Sequence, residues 1–397
     1  MKVVQINATC GIGSTGKICV GISQLLTAAN IENSILCSRN NGYPLGIPCA
    51  SDRYIMFQAL KSKLTGNYGF HSRKATRKMI AELERIRPDI VHLHNIHGHD
   101  CNLDMLFSWF RRNRTRLVWT FHDCWAFTAY CPHFTMAKCD KWMTECTQCV
   151  QHRRFSWLFD RSQSLFDKKK ELFSGLDMTI VTPSQWLANL VKQSFLREYP
   201  VRVIHNGIAL DVFRPIFSNF RSTYGLESKK IVLGVSFGWD PRKGLDVFIE
   251  LAKRLPNDYK IVLVGTDLDV DKLLPRNILS IHRSQDQREL AEIYTSADVF
   301  VNPTREENYP TVNMEALACG TPVLTFQTGG SPEIPDATCG SVVPCDDVYA
   351  LEKEILRICA EMPYSEAACL KKAAEFDQNE RFKEYLRLYE RVISTGN

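Results

Sequence analysis

Long apolar runs are missing from this 397-residue sequence: no stretch approaches the roughly 18 consecutive apolar residues that would cross a bilayer, so no membrane span is expected. No secretory signal is expected either. After Met1-Lys2 the chain reads Val3-Val4-Gln5-Ile6-Asn7, a short strand, and then turns into glycines. Internal repeats, linker tracts and low-complexity segments are absent, which excludes solenoid and disordered architectures. Cysteine is thinly spread: there are 15, an odd number, whereas disulfide scaffolds are shorter and denser. These absences predict a cytoplasmic protein with reduced thiols, most of them packed as small hydrophobes.

What is present looks globular. Hydrophobic residues make up 45% and charged residues 23%. The length suits two to three domains. The net charge of +5 hides an asymmetry: residues 1–200 hold 26 Lys+Arg against 15 Asp+Glu, and the rest holds 23 against 29. A net of +11 joined to a net of −6 suggests that the first half meets something anionic.

Short apolar runs alternate with amphipathic stretches. Candidate strands are Lys2–Ile6, Asn33–Cys37, Ile90–His94, Leu117–Phe121, Met178–Val181 and Val201–Ile204. The rhythm restarts with Ile231–Val235, Lys260–Val264, Ile278–Ile281, Val299–Asn302 and Val323–Phe326. Helical patterns lie between, such as Lys17–Ala29, Ala75–Arg87, Leu245–Leu255, Gln287–Ser296 and Val312–Cys319. Strand–helix alternation implies parallel sheets covered by helices, an α/β chain with two doubly wound domains. The predicted division is 1–205, with a Cys-rich insertion at about 124–150, then 206–377, then a helix over 378–397 that packs back on the first domain.

Open parallel sheets bind ligands at the carboxyl ends of their strands, so two such domains predict a cleft lined by the loops after strands. Polar clusters stand at such places. Gly11–Lys17 fits the first seven positions of a phosphate-binding P-loop, but the next residue is Ile18, which has no hydroxyl to hold Mg²⁺. The glycines still allow close backbone approach to an anion at a helix start; a tight turn without a ligand is the alternative. Arg242-Lys243-Gly244 places two cations at a helix start, where the dipole disfavours them unless an anion such as a diphosphate sits there. The alternative is a solvated charge pair. Glu307 follows the strand Val299–Asn302 and Glu315 lies eight positions on, suited to the vicinal hydroxyls of a sugar or ribose, or simply to the helix dipole.

Cys131, Cys139, Cys146 and Cys149 put four thiols into 19 residues and end in Cys-x-x-Cys, which suits structural zinc; buried or free thiols and disulfides are the alternatives. His92 and His94 share a strand face, and a metal, a cleft lining and a place in the core are all open to them. The stretch Lys61–Lys78 interleaves basic residues with Leu64, Tyr68 and Phe70, which suits an anionic membrane surface or a solvated helix face. No nucleic-acid-binding motif is present.

In combination these residues resemble the family 4 retaining glycosyltransferases, in the branch that builds capsules and exopolysaccharides. The resemblance spans nearly the whole chain: Gly11–Gly16, Pro88 through His94, Thr120-Phe121-His122-Asp123, Val203 through Ile208 with Phe213-Arg214-Pro215, Arg242-Lys243-Gly244, Glu307 through Val323, and Gly329 through Glu333. It implies the GT-B fold and transfer, with retention, of a sugar from a nucleotide-diphosphate sugar to a saccharide acceptor, often lipid-linked. It implies that Gly13 and Gly16 face the donor diphosphate and that Lys243, helped by Arg242, neutralises it. Glu307, with Asn308 and Tyr309, would lie at the donor sugar, Glu315 at the ribose, and Asn206 near a hinge. His122 would sit at the reaction centre, with His94 and Asp123 on the acceptor side. No catalytic metal is implied; the Asp267-Leu-Asp269 match falls in a loop. The sequence departs from the family at Gly238, where an Arg is usual. Two other readings are a nucleotide-sugar epimerase of the same shape and a non-catalytic protein that binds a sugar nucleotide or a membrane surface. The expected location is cytoplasmic and peripheral to the inner face of the cell membrane.

Overall fold

The apolar runs form strands because both faces of a parallel sheet are covered, and Val, Ile and Leu fit such buried ladders. A computed structural model describes residues 1–394. Residues 395–397 of the expected last helix lie outside the described residues.

The strands in chain order are β1 (Lys2–Ile6), β2 (Thr9–Cys10), β3 (Glu32–Cys37), β4 (Arg39–Asn40), β5 (Gly46–Pro48), β6 (Ile90–Leu93), β7 (Arg116–Thr120), β8 (Met178–Thr182) and β9 (Val201–Val203). They continue with β10 (Lys230–Val235), β11 (Tyr259–Val264), β12 (Ile278–Ile281), β13 (Val299–Asn302), β14 (Val323–Phe326) and β15 (Gly340–Val343). Two units result: Met1–His205 with the chain from Arg381 onward, and Asn206–Glu380.

The first unit holds a seven-stranded sheet in the order β5-β3-β1-β6-β7-β8-β9, every pair parallel. The second holds six parallel strands in the order β12-β11-β10-β13-β14-β15. In each, strand order reverses beside the first strand, between β1 and β6 and between β10 and β13. These are the switch points at which such sheets bind ligands. Short β5 and β15, with the two-residue pair β2–β4, lack a clear apolar run in sequence.

The last helix, Gln378–Ser394, seals the first unit. Phe382, Tyr385, Leu388 and Tyr389 pack with Val3, Ile22, Leu26, Ile90 and Val118. Gly21 makes room for this contact, because any Cβ there would collide with the Phe382 ring. Within the second unit the chain enters and leaves through one small pairing: the Ile208 N–H donates to the Phe376 carbonyl (2.8 Å) and the Gln378 N–H to the Ile208 carbonyl (3.0 Å). Among the described residues, no helix is long and apolar enough to cross a membrane.

Candidate active site

In the second unit, the turn after β10 and the turn after β13 lie side by side because their strands are neighbours. Asp240 caps the first turn by accepting the Lys243 N–H at 3.0 Å. Gly244 then takes a left-handed φ of 78°, and a Cβ there would strike the Pro303 carbonyl. The Arg242 carbonyl accepts the Arg305 N–H at 2.9 Å and the Thr304 hydroxyl at 3.3 Å, which zips the turns together. The result is a close ion pair: Lys243 Nζ lies 2.6 Å from Glu307 Oε2, both about one-fifth exposed.

A glycine fixes the other side of Glu307. Gly329 has a φ of 57°, and a Cβ on it would collide with the Glu307 carbonyl. The Gly330 N–H donates to the Asn308 carbonyl at 2.9 Å. Asn308 and Tyr309 are buried, and the Asn206 amide donates to the Tyr309 carbonyl at 3.4 Å. The helix Thr311–Ala318 starts at once from Pro310 with no side-chain cap, so its first N–H groups and dipole face this turn. Glu315, within the helix, accepts the hydroxyl of buried Tyr294 at 3.2 Å.

Sequence reasoning missed Arg305. Its guanidinium grips Asp246 with two bonds of 2.7 and 2.8 Å and reaches Asp346 at 2.6 Å. The carboxylates hold Arg305 charged, and Arg305 holds Asp246 below the ordinary carboxylate range. Arg305 thus fixes the start of the helix that follows Lys243. Arg242 itself stays 3.8 Å from Asp240. The Asp267-Leu-Asp269 match is accounted for locally: Asp267 caps a short helix through the Asp269 and Val270 N–H groups, and Asp269 pairs with Lys272 at 2.6 Å.

In the first unit, the loop after β1 is zipped to the loop after β6 by the Ala8 N–H donating to the Asn95 carbonyl at 2.9 Å. Gly13 opens the helix Gly13–Ala28 with a φ of 67°, exposed and without a side-chain cap ahead of it. Gly16 is instead buried: a Cβ there would meet Thr9 Oγ1 at 2.9 Å, and its carbonyl accepts the Gly11 N–H at 3.1 Å. Gly13 stands at an open helix end, whereas Gly16 permits the loop to close on itself.

The histidines form a buried chain rather than a metal cluster. The Gln5 amide donates to the Cys19 carbonyl at 2.9 Å, which turns its oxygen to His94 Nε2 at 3.1 Å. His94 Nε2 therefore carries the proton, and His94 Nδ1 accepts from His122 Nε2 at 3.1 Å. Neutral His122 then has an acceptor at Nδ1. Burial lowers His122 to about 4 and holds His92 and His94 well below the ordinary value. His92 bonds Tyr389 at 2.6 Å and Thr120 at 2.7 Å. Asp123 stays ionised at about 2: burial pushes it up, but His97 at 3.3 Å and the Trp125 N–H at 2.9 Å outweigh that.

Cys131, Cys139, Cys146 and Cys149 lie together against one hydrophobic core, with Phe127, Phe134 and Trp142. Among the described residues, however, no group of three or more His, Cys, Asp or Glu is placed to hold a metal ion. Burial pushes Cys131 and Cys146 up to about 12, so both sit in the core as neutral thiols. Lys169 braces this insertion. Fully buried, it donates to the carbonyls of Trp125 (2.8 Å) and Thr128 (3.0 Å), with its Nζ 3.4 Å from the Trp125 ring centre.

Comparison with known proteins agrees with this geometry. The model of glycosyl transferases group 1 matches residues 217–381, and that of glycosyltransferase family 4 matches residues 17–212. The colanic acid biosynthesis glycosyl transferase WcaC of Escherichia coli K12 is 24% identical over 421 residues, covering 99% of this chain and all of that one. D-inositol 3-phosphate glycosyltransferase of Mycobacterium tuberculosis is 27% identical over 216 residues, 50% of this chain and 45% of that enzyme. Among solved structures, sucrose-phosphate synthase of Thermosynechococcus elongatus superposes over all of both chains with a TM-score of 0.72 at 18% identity. HepE of Anabaena, solved with UDP, gives 0.67 at 15% identity, over 98% of this chain and all of that one. The WcaC and D-inositol 3-phosphate relatives are named as glycosyltransferases, not epimerases. With a Lys–Glu pair at the switch point of one parallel sheet and a histidine chain at that of another, this chain belongs to the family 4 glycosyltransferases and has their GT-B fold.

Proposed function

We propose that this glycosyltransferase moves a sugar, with retention, from a nucleotide-diphosphate sugar to a saccharide acceptor carried on a lipid diphosphate, in the assembly of a surface polysaccharide. The observation that carries the reading is the Lys243–Glu307 pair, set between two turns and beside an uncapped helix start. HepE, of the same fold, has been solved with UDP-glucose, and the WcaC relative is named for colanic acid biosynthesis. Both support the donor class and the polysaccharide setting.

The barrier to transfer is charge separation between an oxocarbenium-like sugar and a departing diphosphate. Preorganised cations and backbone N–H groups that meet the departing charge supply the largest share of such catalysis. Lys243 is the cation, Arg242 an auxiliary one, and the start of the helix Thr311–Ala318 supplies N–H groups. Glu307, a carboxylate on a glycine-locked turn, accepts hydrogen bonds from donor sugar hydroxyls, and Glu315 from the ribose. The first unit contributes Gly13, at its helix end, to the donor diphosphate, and supplies the acceptor side: His122 with an acceptor nitrogen at the reaction centre, and His94 and Asp123 behind it.

A thermal-shift panel of nucleotide sugars tests donor binding, since a ligand that binds the folded state raises Tm by mass action. Lys243→Ala and Glu307→Ala are each expected to lower turnover about 10²-fold or more, the scale of one lost transition-state partner. Near-normal turnover in both variants would overturn the assignment.

A further inference from the structure

Lys243 and Glu307 hold one another, Nζ to Oε2 at 2.6 Å. The carboxylate is the fixed partner. Its Oε1 accepts the Asn308 N–H at 3.1 Å, and Gly329 pins its backbone. The ammonium is the movable partner. The Lys243 backbone is tied to Asp240, but its head stands at the end of a flexible four-carbon stem. The other cations of these turns have carboxylates of their own: Arg305 holds Asp246 and Asp346, and Arg242 lies 3.8 Å from Asp240. Both members of the Lys243–Glu307 pair are mostly buried, so solvent screens them less than a surface pair.

A diphosphate that reaches Lys243 therefore competes with Glu307 for the ammonium, and it brings its own negative charge beside a carboxylate. What relieves that conflict differs between two ligands. A nucleotide-diphosphate sugar carries hydroxyls, which donate to Glu307 and take over from the ammonium, because an ionised carboxylate only accepts. A nucleoside diphosphate has no sugar hydroxyls beyond its phosphates, and its terminal phosphate carries further negative charge. With that ligand, Glu307 would be left beside an anion without its cation, which is costly for a mostly buried charge.

We infer that Glu307 sorts donor from product through Lys243. It admits the nucleotide-diphosphate sugar, whose hydroxyls replace Lys243 at its carboxylate. After transfer it reclaims Lys243 and so speeds release of the nucleoside diphosphate. The repulsive element is as much a part of this selectivity as the attractive one. This role rests on the donor site proposed above and goes beyond it. A carboxylate that only bound sugar hydroxyls would be indifferent to a nucleotide without the sugar. A carboxylate that competes for Lys243 weakens that nucleotide, so removing its charge should tighten binding.

Calorimetric titration of the full chain with UDP, GDP and ADP, and with UDP-glucose, GDP-mannose and ADP-glucose, tests this. Glu307→Gln keeps the shape and an oxygen for the Asn308 N–H but removes the charge. For the nucleoside diphosphate that the unaltered chain binds best, this variant should lower Kd about three- to tenfold, the scale of one partly buried charge partner. The preference for the matching nucleotide sugar should shrink by at least as much. Lys243→Ala should weaken the nucleoside diphosphate, and adding Glu307→Gln to it should then bring no gain, since the two changes act on one pair. A cooperative thermal transition in each variant verifies folding. Equal or weaker nucleoside-diphosphate binding by Glu307→Gln overturns the inference, as does a gain that survives Lys243→Ala. Either result leaves the donor site standing. An unaltered chain that binds none of these nucleotides sinks the donor reading itself, and this role with it.

Discussion

At the carboxyl edge of the first sheet, the polar groups are mostly neutral and hidden: His94, His122 and Gln5 pass hydrogen bonds inward, and His92 is held by Tyr389 and Thr120. At the same edge of the second sheet, they are charged and paired: Lys243 with Glu307, Arg305 with Asp246 and Asp346. Surface charge runs the other way. The first unit, with the chain from Arg381, carries 31 Lys+Arg against 17 Asp+Glu, and the second carries 18 against 27. One topology therefore serves two electrostatic tasks. The first unit keeps most of its cations outside and the edge of its sheet mostly neutral, with buried Lys169 and ionised Asp123 as exceptions. The second is acidic overall and concentrates a few cations on one spot, the place proposed for the leaving anion.

The largest effect expected from breaking this contrast is at Gly329. Its left-handed backbone and its contact with the Glu307 carbonyl leave no room for a Cβ. Gly329→Ala should shift Glu307 and lower kcat/KM on the order of 10²-fold, the scale of an ångström-level misplacement. Gly13→Ala is the matching change in the first unit. It has a left-handed φ but open space around it, so its expected cost is only about 1–2 kcal/mol of stability. Equal losses of activity in the two variants would show that the second unit's charges are not the more exactingly placed.

Protonation should separate the units next. Burial lowers His122 and His99 to about 4, and His92 and His94 well below the ordinary value. Between those values and the unperturbed 6.5 the unfolded chain binds more protons than the folded one, so stability rises with pH there and is lost as pH falls from about 6.5 towards 4. In the second unit the lowered acidic groups include Asp246, Asp336 and Glu354, whose contribution is lost only below about pH 4.5. Hydrogen exchange at pH 7 and pH 5, corrected for intrinsic rate, should show protection falling at β6 and β7 while β10 and β13 hold. Parallel loss in both sheets would refute the contrast.

Much of this was legible in the residues. Strands Lys2–Ile6, Ile278–Ile281, Val299–Asn302 and Val323–Phe326 stand where the apolar runs lie. Lys243, Glu307 and Glu315 follow strands, which is where a parallel sheet exposes side chains to ligands. Three features were not legible. Arg305 reads as one more charge in a polar turn; its role depends on Asp246 and Asp346, 59 and 41 positions away. Periodicity finds the stripe Met56–Leu64 but cannot tell which helix face turns inward, and the familiar pairing of apolar with inside is reversed here. Cysteine spacing at 131–149 shows closeness along the chain, whereas a metal site requires sulfurs aimed at one point.

The smallest expected effect, and a sharp one, concerns Gly238. The family usually carries an Arg here, yet the position is neither left-handed nor crowded: a Cβ would have nothing within 4 Å. The missing cation is therefore no steric necessity. Gly238→Arg should fold with an unchanged Tm and add a charge to the turn that carries Arg242 and Lys243. One extra, partly exposed charge contributes about 0.2–1 kcal/mol, so the donor KM should fall about two- to fivefold. High salt should erase the gain, because screening weakens exposed charges most. A KM that stays constant at low salt would mean that Arg242 already fills the role, and that the second unit's cation count at the diphosphate is complete with two.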